Sequence, residues 1–155
     1  MEFRWEPFGR THLDEQTAPA APPPKPAPEP PVEPKTPHGH LPRRPARRLA
    51  VLTCMDCRID PVPALGLAPG DAVILRNAGA EVSDDVLRSL RLAHHNLGVD
   101  AVRVVGHTDC AAHGSDDEVT AAEVERGVVR IGVALPELEV RGAMLDLRSG
   151  AVVSA

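Results

Sequence analysis

Aromatic residues are almost missing from this 155-residue chain: Phe3, Trp5 and Phe8 are the full set, and all lie in the first ten residues. A core built further along must therefore be aliphatic. Lysine is also absent from residue 49 onward, where 9 arginines face 16 acidic residues, a balance of −7; the preceding part carries 8 basic and 6 acidic residues, +2, and the two sum to −5. An acidic domain argues against a nucleic-acid function. No window approaches the ~18 apolar residues of a membrane span, and residues 1–20 hold no apolar run behind a basic start, so neither a span nor a secretory signal is expected. Cysteine numbers only three, an odd count that does not suit a disulfide-stapled secreted scaffold. These absences lead to the expectation of a soluble, cytoplasmic protein with metal or thiol chemistry, and no nucleic-acid or membrane partner.

Proline, by contrast, is abundant and uneven. Of 17 prolines, 13 precede residue 49 and only Pro61, Pro63, Pro69 and Pro136 follow. Residues 18–37 can neither supply helix hydrogen bonds nor bury much apolar surface, so extended polyproline-type coil is expected. The chain divides into a disordered proline-rich extension, 1–41, and one domain, 42–155. The start EFRWEPF reads as a frayed terminus, with a docking peptide as the other possibility. RRPARR, 43–48, reads as a solvated lead-in to the first strand.

From residue 49 the signals alternate. LAVLT (49–53), AVILRN (72–77) and AVRVVGH (101–107) are short apolar runs that read as buried strands. Between the last two, Ser83 suits an N-cap, Asp84 and Asp85 favour the positive end of a helix, and Gly98 ends it. Val86, Leu90, Ala93 and Leu97 make its apolar face. A strand, a helix of about four turns and a strand form a βαβ unit, which implies a mostly parallel sheet with flanking helices, the α/β class. DDEVTAAEVERGVVRIGVAL (116–135) is helical in pattern, weakened by Gly127 and Gly132. The last residues, 138–155, read as a hairpin turning at Ser149 and Gly150.

Functional groups of doubly wound sheets sit at the carboxyl ends of strands. Cys54 follows the first run, and His107 to Cys110 (HTDC) follow the third. If these strands are neighbours, Cys54, His107 and Cys110 could converge, and two thiols with an imidazole favour zinc. In LTCMDCRID (52–60), an extended backbone would alternate side chains, sending Cys54, Asp56 and Arg58 one way and Met55 and Cys57 the other. Cys57 then leaves the site and reads as packing under the strand, and the pattern is Cys-x-Asp-x-Arg, not a redox Cys-x-x-Cys.

LTCMDCRIDP, ALGLAPGDAVILRNAGA, DDVLRSLRLAHHNLGV, GHTDC and LEVRGAMLDLRSGAV together resemble a β-class carbonic anhydrase, more closely its short bacterial, actinobacterial-like forms. The resemblance covers about residues 42–110 and 136–153. It implies the fold of that family and one Zn²⁺ per chain on Cys54, His107 and Cys110. It also implies an Asp56–Arg58 dyad, a pocket lined by Asn77, Ala78 and Gly79, and a homodimer or larger homo-oligomer. The implied reaction is hydration of CO2 to bicarbonate and a proton by zinc-bound hydroxide. Two thiolates cancel the charge of Zn²⁺, so a neighbouring base is useful and Asp56 could supply it. A carboxylate so placed can itself become the fourth ligand, and pairing with Arg58 would hold it off.

Other readings stand beside these. Asp56 and Arg58 also read as a surface ion pair, Asn77 to Gly79 as a simple turn, and Asp109 as an exposed acid or as a group orienting Thr108 or the backbone. His94, His95 and His113 are candidate proton shuttles, with a solvated or packed helix face the other reading for His94 and His95. Against the family pattern, Ala80 and Ala111 stand where glycines are expected and Ala143 and Leu145 replace aromatics. Only 24 residues separate HTDC from LPELEVRG. The missing segment would help cover the site and build the dimer. The alternatives in function are a CS2 or COS hydrolase on the same fold, a non-catalytic zinc-binding protein, or thiol redox through Cys54 and Cys57.

Overall fold

Six consecutive residues, Leu49–Cys54, are all buried, which a strand achieves only at the centre of a sheet covered on both faces. This strand, β1, lies inside a five-stranded sheet in a computed structural model that describes residues 38–155. The expectations for EFRWEPF and for the proline-rich extension as far as residue 37 lie outside the described residues. Residues 38–41, expected in the extension, form a turn closed by Leu41 N–H donating to His38 O at 2.9 Å. The arginines of the lead-in are solvated as expected, with Arg47 paired to Asp71 and Arg48 to Asp100.

The order is β2-β1-β3-β4-β5, with β2 Ala72–Asn77, β3 Ala101–His107, β4 Glu139–Leu145 and β5 Val152–Ser154. The first four strands run parallel, and β5 is antiparallel to β4. The C-terminal hairpin therefore forms, but its turn is wider than two residues. Asp146 accepts hydrogen bonds from the Arg148 N–H at 2.8 Å and the Ser149 hydroxyl at 2.9 Å, and Gly150 adopts φ 73°.

Three helices follow from local signals. The short α1, Pro61–Ala64, starts at Asp60 with proline in its first turn, and a four-residue element leaves no periodic pattern to read. In α2, Asp84–Leu97, Ser83 caps the Val86 N–H and Gly98 ends the helix at φ 73°. Its buried residues are Val86, Leu87, Leu90 and Ala93, with Leu97 partly buried against the same core. In α3, Asp117–Ala134, Asp116 caps two N–H groups. Gly127, which weakens helix propensity, earns its place by packing: a Cβ there would meet Val82 Cγ2 at 2.9 Å.

The main core lies between one sheet face and α2 and α3, and is wholly aliphatic. A second cluster on the other face contains Leu49, Val51, Ile59, Val105, Ala143 and Leu145 together with Cys54 and Cys110. Ala143 and Leu145, where larger residues were expected, are still buried. Among the described residues no helix is long and apolar enough to cross a membrane.

Candidate metal centre

Parallel pairing of β1 with β3 sets Thr53 beside Val105, so Cys54 and His107 leave the sheet at the same end of adjacent strands. The Thr53 hydroxyl donates to Val105 O at 3.0 Å and fixes that junction. Beyond β3 the chain turns back through Asp109, whose φ is +57°, and presents Cys110. One ligand atom from each of Cys54, His107 and Cys110 lies within 4.8 Å of the other two, and all three residues are buried. The two sulfurs are 4.0 Å apart.

The donor set fits a metal. His107 Nδ1 lies 2.9 Å from Thr108 O, and a carbonyl only accepts, so the proton sits on Nδ1 and Nε2 keeps its lone pair. That Nε2 is buried with no hydrogen-bond partner. Burial pushes the Cys110 thiol up, and Cys54 beside it adds to the effect. Two thiolates at this spacing therefore need a cation between them. Two cysteines and one histidine leave a position open, the arrangement of a catalytic rather than a structural zinc site.

Asp56 stands outside this cluster of three. Its carboxylate is gripped by Arg58, with Nε donating to Oδ1 at 3.0 Å and Nη2 to Oδ2 at 2.7 Å, while the Arg58 N–H donates to Oδ1 at 2.9 Å. These bonds hold the Asp56 carboxyl well below the usual carboxylate range. A carboxylate so held takes up a proton reluctantly and is a ready hydrogen-bond acceptor. Cys57 leaves the site, as expected, but it stands exposed and free rather than packed under the strand, and strand alternation is not the reason. The strand ends at Cys54, and residues 56–59 form a turn with Ile59 N–H donating to Asp56 O at 3.1 Å. Turn geometry, not an extended backbone, brings Asp56 and Arg58 together.

Asn77, Ala78 and Gly79 leave β2 beside Cys54, its register partner being Asn77. Gly79 N–H donates to Cys54 Sγ at 3.4 Å, and a Cβ on Gly79 would sit 2.6 Å from His113 Nε2. This turn therefore braces the cluster. Asn77 Nδ2 donates to Glu81 O, and its Oδ1 is buried without a partner. Ala80 holds φ +57°, a conformation that glycine adopts freely, whereas Ala111 is unstrained. A cavity of about 600 Å³ opens beside the dyad, walled by Arg58, Thr108, Asp109, Ser115, Asp117, Asp146, Leu147 and Arg148. His94 bonds Val99 O and its ring lies edge-on to His95, away from the cluster in the fold. His113 Nδ1 lies 3.0 Å from the Thr120 hydroxyl, which itself donates to Asp116 O, so Nδ1 carries the proton and Nε2 the lone pair.

Two functional contacts escaped the sequence reading. Arg76 Nε donates to Cys54 O at 3.0 Å and Nη2 to Asp56 O at 2.7 Å, stapling the loop that carries both residues. An arginine just after the apolar run of β2 was the signal. Asp109, read as an exposed acid, bonds Arg58 through its carboxylate at 2.8 Å and its carbonyl at 3.0 Å. Thr108 is held from elsewhere, by the Leu147 N–H.

The family model described as carbonic anhydrase matches residues 49–131. β-Carbonic anhydrase 1 of Mycobacterium tuberculosis is 39% identical over 92 residues, 58% of this chain and 56% of that protein. A carbon disulfide hydrolase of Saccharolobus solfataricus is 41% identical over 100 residues, 61% of this chain and 49% of that protein. The solved carbonic anhydrase from Streptococcus mutans aligns with TM-score 0.68 at 35% identity, covering 74% of this chain and 85% of that one. The chain spans about half the length of the curated relatives it matches.

Proposed function

Because the chain belongs to the carbonic anhydrase family, in its β class, we propose that it catalyses the zinc-dependent, reversible hydration of CO2 to bicarbonate and a proton. The observation that carries this reading is the buried Cys54–His107–Cys110 cluster with its unpartnered His107 Nε2, beside a carboxylate locked to an arginine. Cys54 Sγ, His107 Nε2 and Cys110 Sγ would hold the zinc ion. When bound, zinc supplies Lewis acidity that makes water a nucleophile near neutral pH.

The chain's own groups do the rest. Thr108 O fixes the His107 tautomer, and Gly79 N–H fixes the Cys54 sulfur. Asp56 accepts a hydrogen bond from the reacting water and orients it, while Arg58 keeps that carboxylate from becoming a fourth metal ligand. Asn77, Ala78 and Gly79 border the substrate position, where an apolar CO2 needs little polar recognition. His113, with its Nε2 lone pair against this turn, is the proton acceptor on the way out.

The protein is a cytoplasmic homodimer in this reading, its 42–155 domain preceded by a proline-rich extension. Three free thiols support the reducing compartment, and Val129 and Val133, 65% and 80% exposed one turn apart on α3, support a partner subunit. Stopped-flow CO2 hydration by zinc-loaded protein tests the activity, with Cys110→Ser as control. A wild-type rate at least about 100-fold above the control is expected, since the control loses a ligand of the catalytic metal. Equal slow rates with one zinc per chain would leave a non-catalytic zinc protein, and turnover of CS2 alone would transfer the reading to the carbon disulfide hydrolases.

A further inference from the structure

We propose that Asp109 is a second anchor for Arg58, a positioning residue whose carboxylate fixes the guanidinium so that Asp56 stays off the metal. The proposal rests on the zinc-centre reading above. Arg58 uses its two edges on two different loops. Nε and Nη2 face Asp56, while Nη1 donates to Asp109 Oδ2 at 2.8 Å and Nη2 also donates to Asp109 O at 3.0 Å. The carboxylates take different edges of one fork, so they share the guanidinium without displacing each other.

Asp109 is itself built in. It sits between the ligands His107 and Cys110 with φ +57°, an unusual backbone state for a residue other than glycine. Its N–H donates to Asp117 Oδ1 at 2.8 Å, at the start of α3. The loop bearing two ligands is thus pinned to α3 on one side and to Arg58 on the other. Through Arg58 it is tied to the loop bearing Cys54 and Asp56.

Exposure decides what this tie is worth. The side chains of Arg58 and Asp109 are 46% and 62% exposed, and that of Asp56 is 14% exposed. A half-exposed ion pair adds little Coulomb energy. Its effect is conformational, because a long arginine side chain anchored at one edge only regains rotamer freedom, and anchored at both edges it is already ordered for Asp56. Without Asp109, Arg58 swings away for part of the time and Asp56 is released toward the cluster, where it competes for the fourth metal position.

The test uses full-length protein loaded with cobalt(II), whose visible spectrum reports its ligands, titrated with azide as a probe of the open position. Asp109→Asn keeps the shape and removes the charge. It is expected to weaken azide binding about tenfold, the scale of freeing one such side chain, and Asp109→Glu is expected to recover most of that loss. In an Asp56→Ala background, where nothing competes for the position, Asp109→Asn is expected to leave azide affinity unchanged. Unchanged or tighter azide binding in Asp109→Asn overturns the proposal, and so does a loss that persists without Asp56. Failure of both Asp109→Asn proteins to bind cobalt would mean that Asp109 merely builds the loop, which also overturns it. If the wild-type protein takes up no cobalt, the zinc-centre reading falls and this inference with it; normal cobalt uptake with no effect of Asp109 sinks this inference alone.

Discussion

At the scale of single residues, Cys54 and Cys57 are separated by burial more than by chemistry. Cys54 is 5% exposed, shares a pocket with Cys110 and accepts a backbone N–H, whereas Cys57 stands in solvent on a turn. Cys57→Ser should therefore leave one zinc per chain and change stability by less than about 0.5 kcal/mol, as surface substitutions do. Cys54→Ser should abolish tight zinc binding, measured by metal analysis after dialysis against a weak chelator. Equal zinc content in the two variants would show that the thiols were assigned wrongly. That Cys54 and not Cys57 joins the cluster was legible in the sequence, since Cys-x-Asp-x-Arg and His-x-x-Cys each end an apolar run; that Cys57 stands in solvent was not. The turn at 56–59 was not, because it depends on Arg76 reaching across from β2 and on Asp109 arriving from 51 residues away. Contacts of that separation leave no local pattern.

At the scale of elements, α3 holds two glycines that propensity treats alike and packing does not. Gly127 faces Val82 with no room for a Cβ, while nothing lies within 4 Å of a Cβ on Gly132. Gly132→Ala should stabilise the protein by about 0.5–1 kcal/mol through helix propensity alone. Gly127→Ala gains the same term but must push Val82 aside, an overpacking cost of about 1–3 kcal/mol, so it should destabilise. Urea denaturation of both variants checks the opposite signs. Strands and long helices were readable because their periodicity and caps are local. Which glycine is needed was not, since the answer lies in the loop before α2.

The β4–β5 turn gives a pH test of the same kind. The N–H of Arg148 and the hydroxyl of Ser149 hold the Asp146 carboxyl below its ordinary value. The unfolded chain therefore binds that proton more readily than the folded one. The contribution is present above about pH 4, the ordinary aspartate value, and is lost as pH falls further toward the folded pKa. Asp146→Asn should melt below wild type at pH 7, and the gap should narrow as pH falls below about 4. A gap independent of pH would mean that the turn is held by shape and not by the charge.

At the scale of the molecule, the metal centre is part of the core and not an addition to it. Cys54 and Cys110 belong to the cluster that covers the second sheet face, together with Val51, Ile59, Val105, Ala143 and Leu145. That cluster is built from small aliphatic residues in a domain without aromatics, so the metal cross-link bears more of its stability. A bound zinc ties the end of β1 to a loop 56 residues later, and it binds the folded chain more tightly than the unfolded one because the three donors meet only there. At free zinc about 1,000-fold above its dissociation constant, such binding adds about 4 kcal/mol. For a domain near this size each kcal/mol moves the melting temperature by roughly 3–6 °C. Removing zinc with a strong chelator under reducing conditions should therefore lower the melting temperature by upward of about 10 °C, reversibly on zinc addition. The same chelator should have little effect on Cys110→Ser, which lacks the site. A melting temperature unmoved by zinc in the wild-type protein would place the ion outside the core and remove the three-residue cluster from the account of stability.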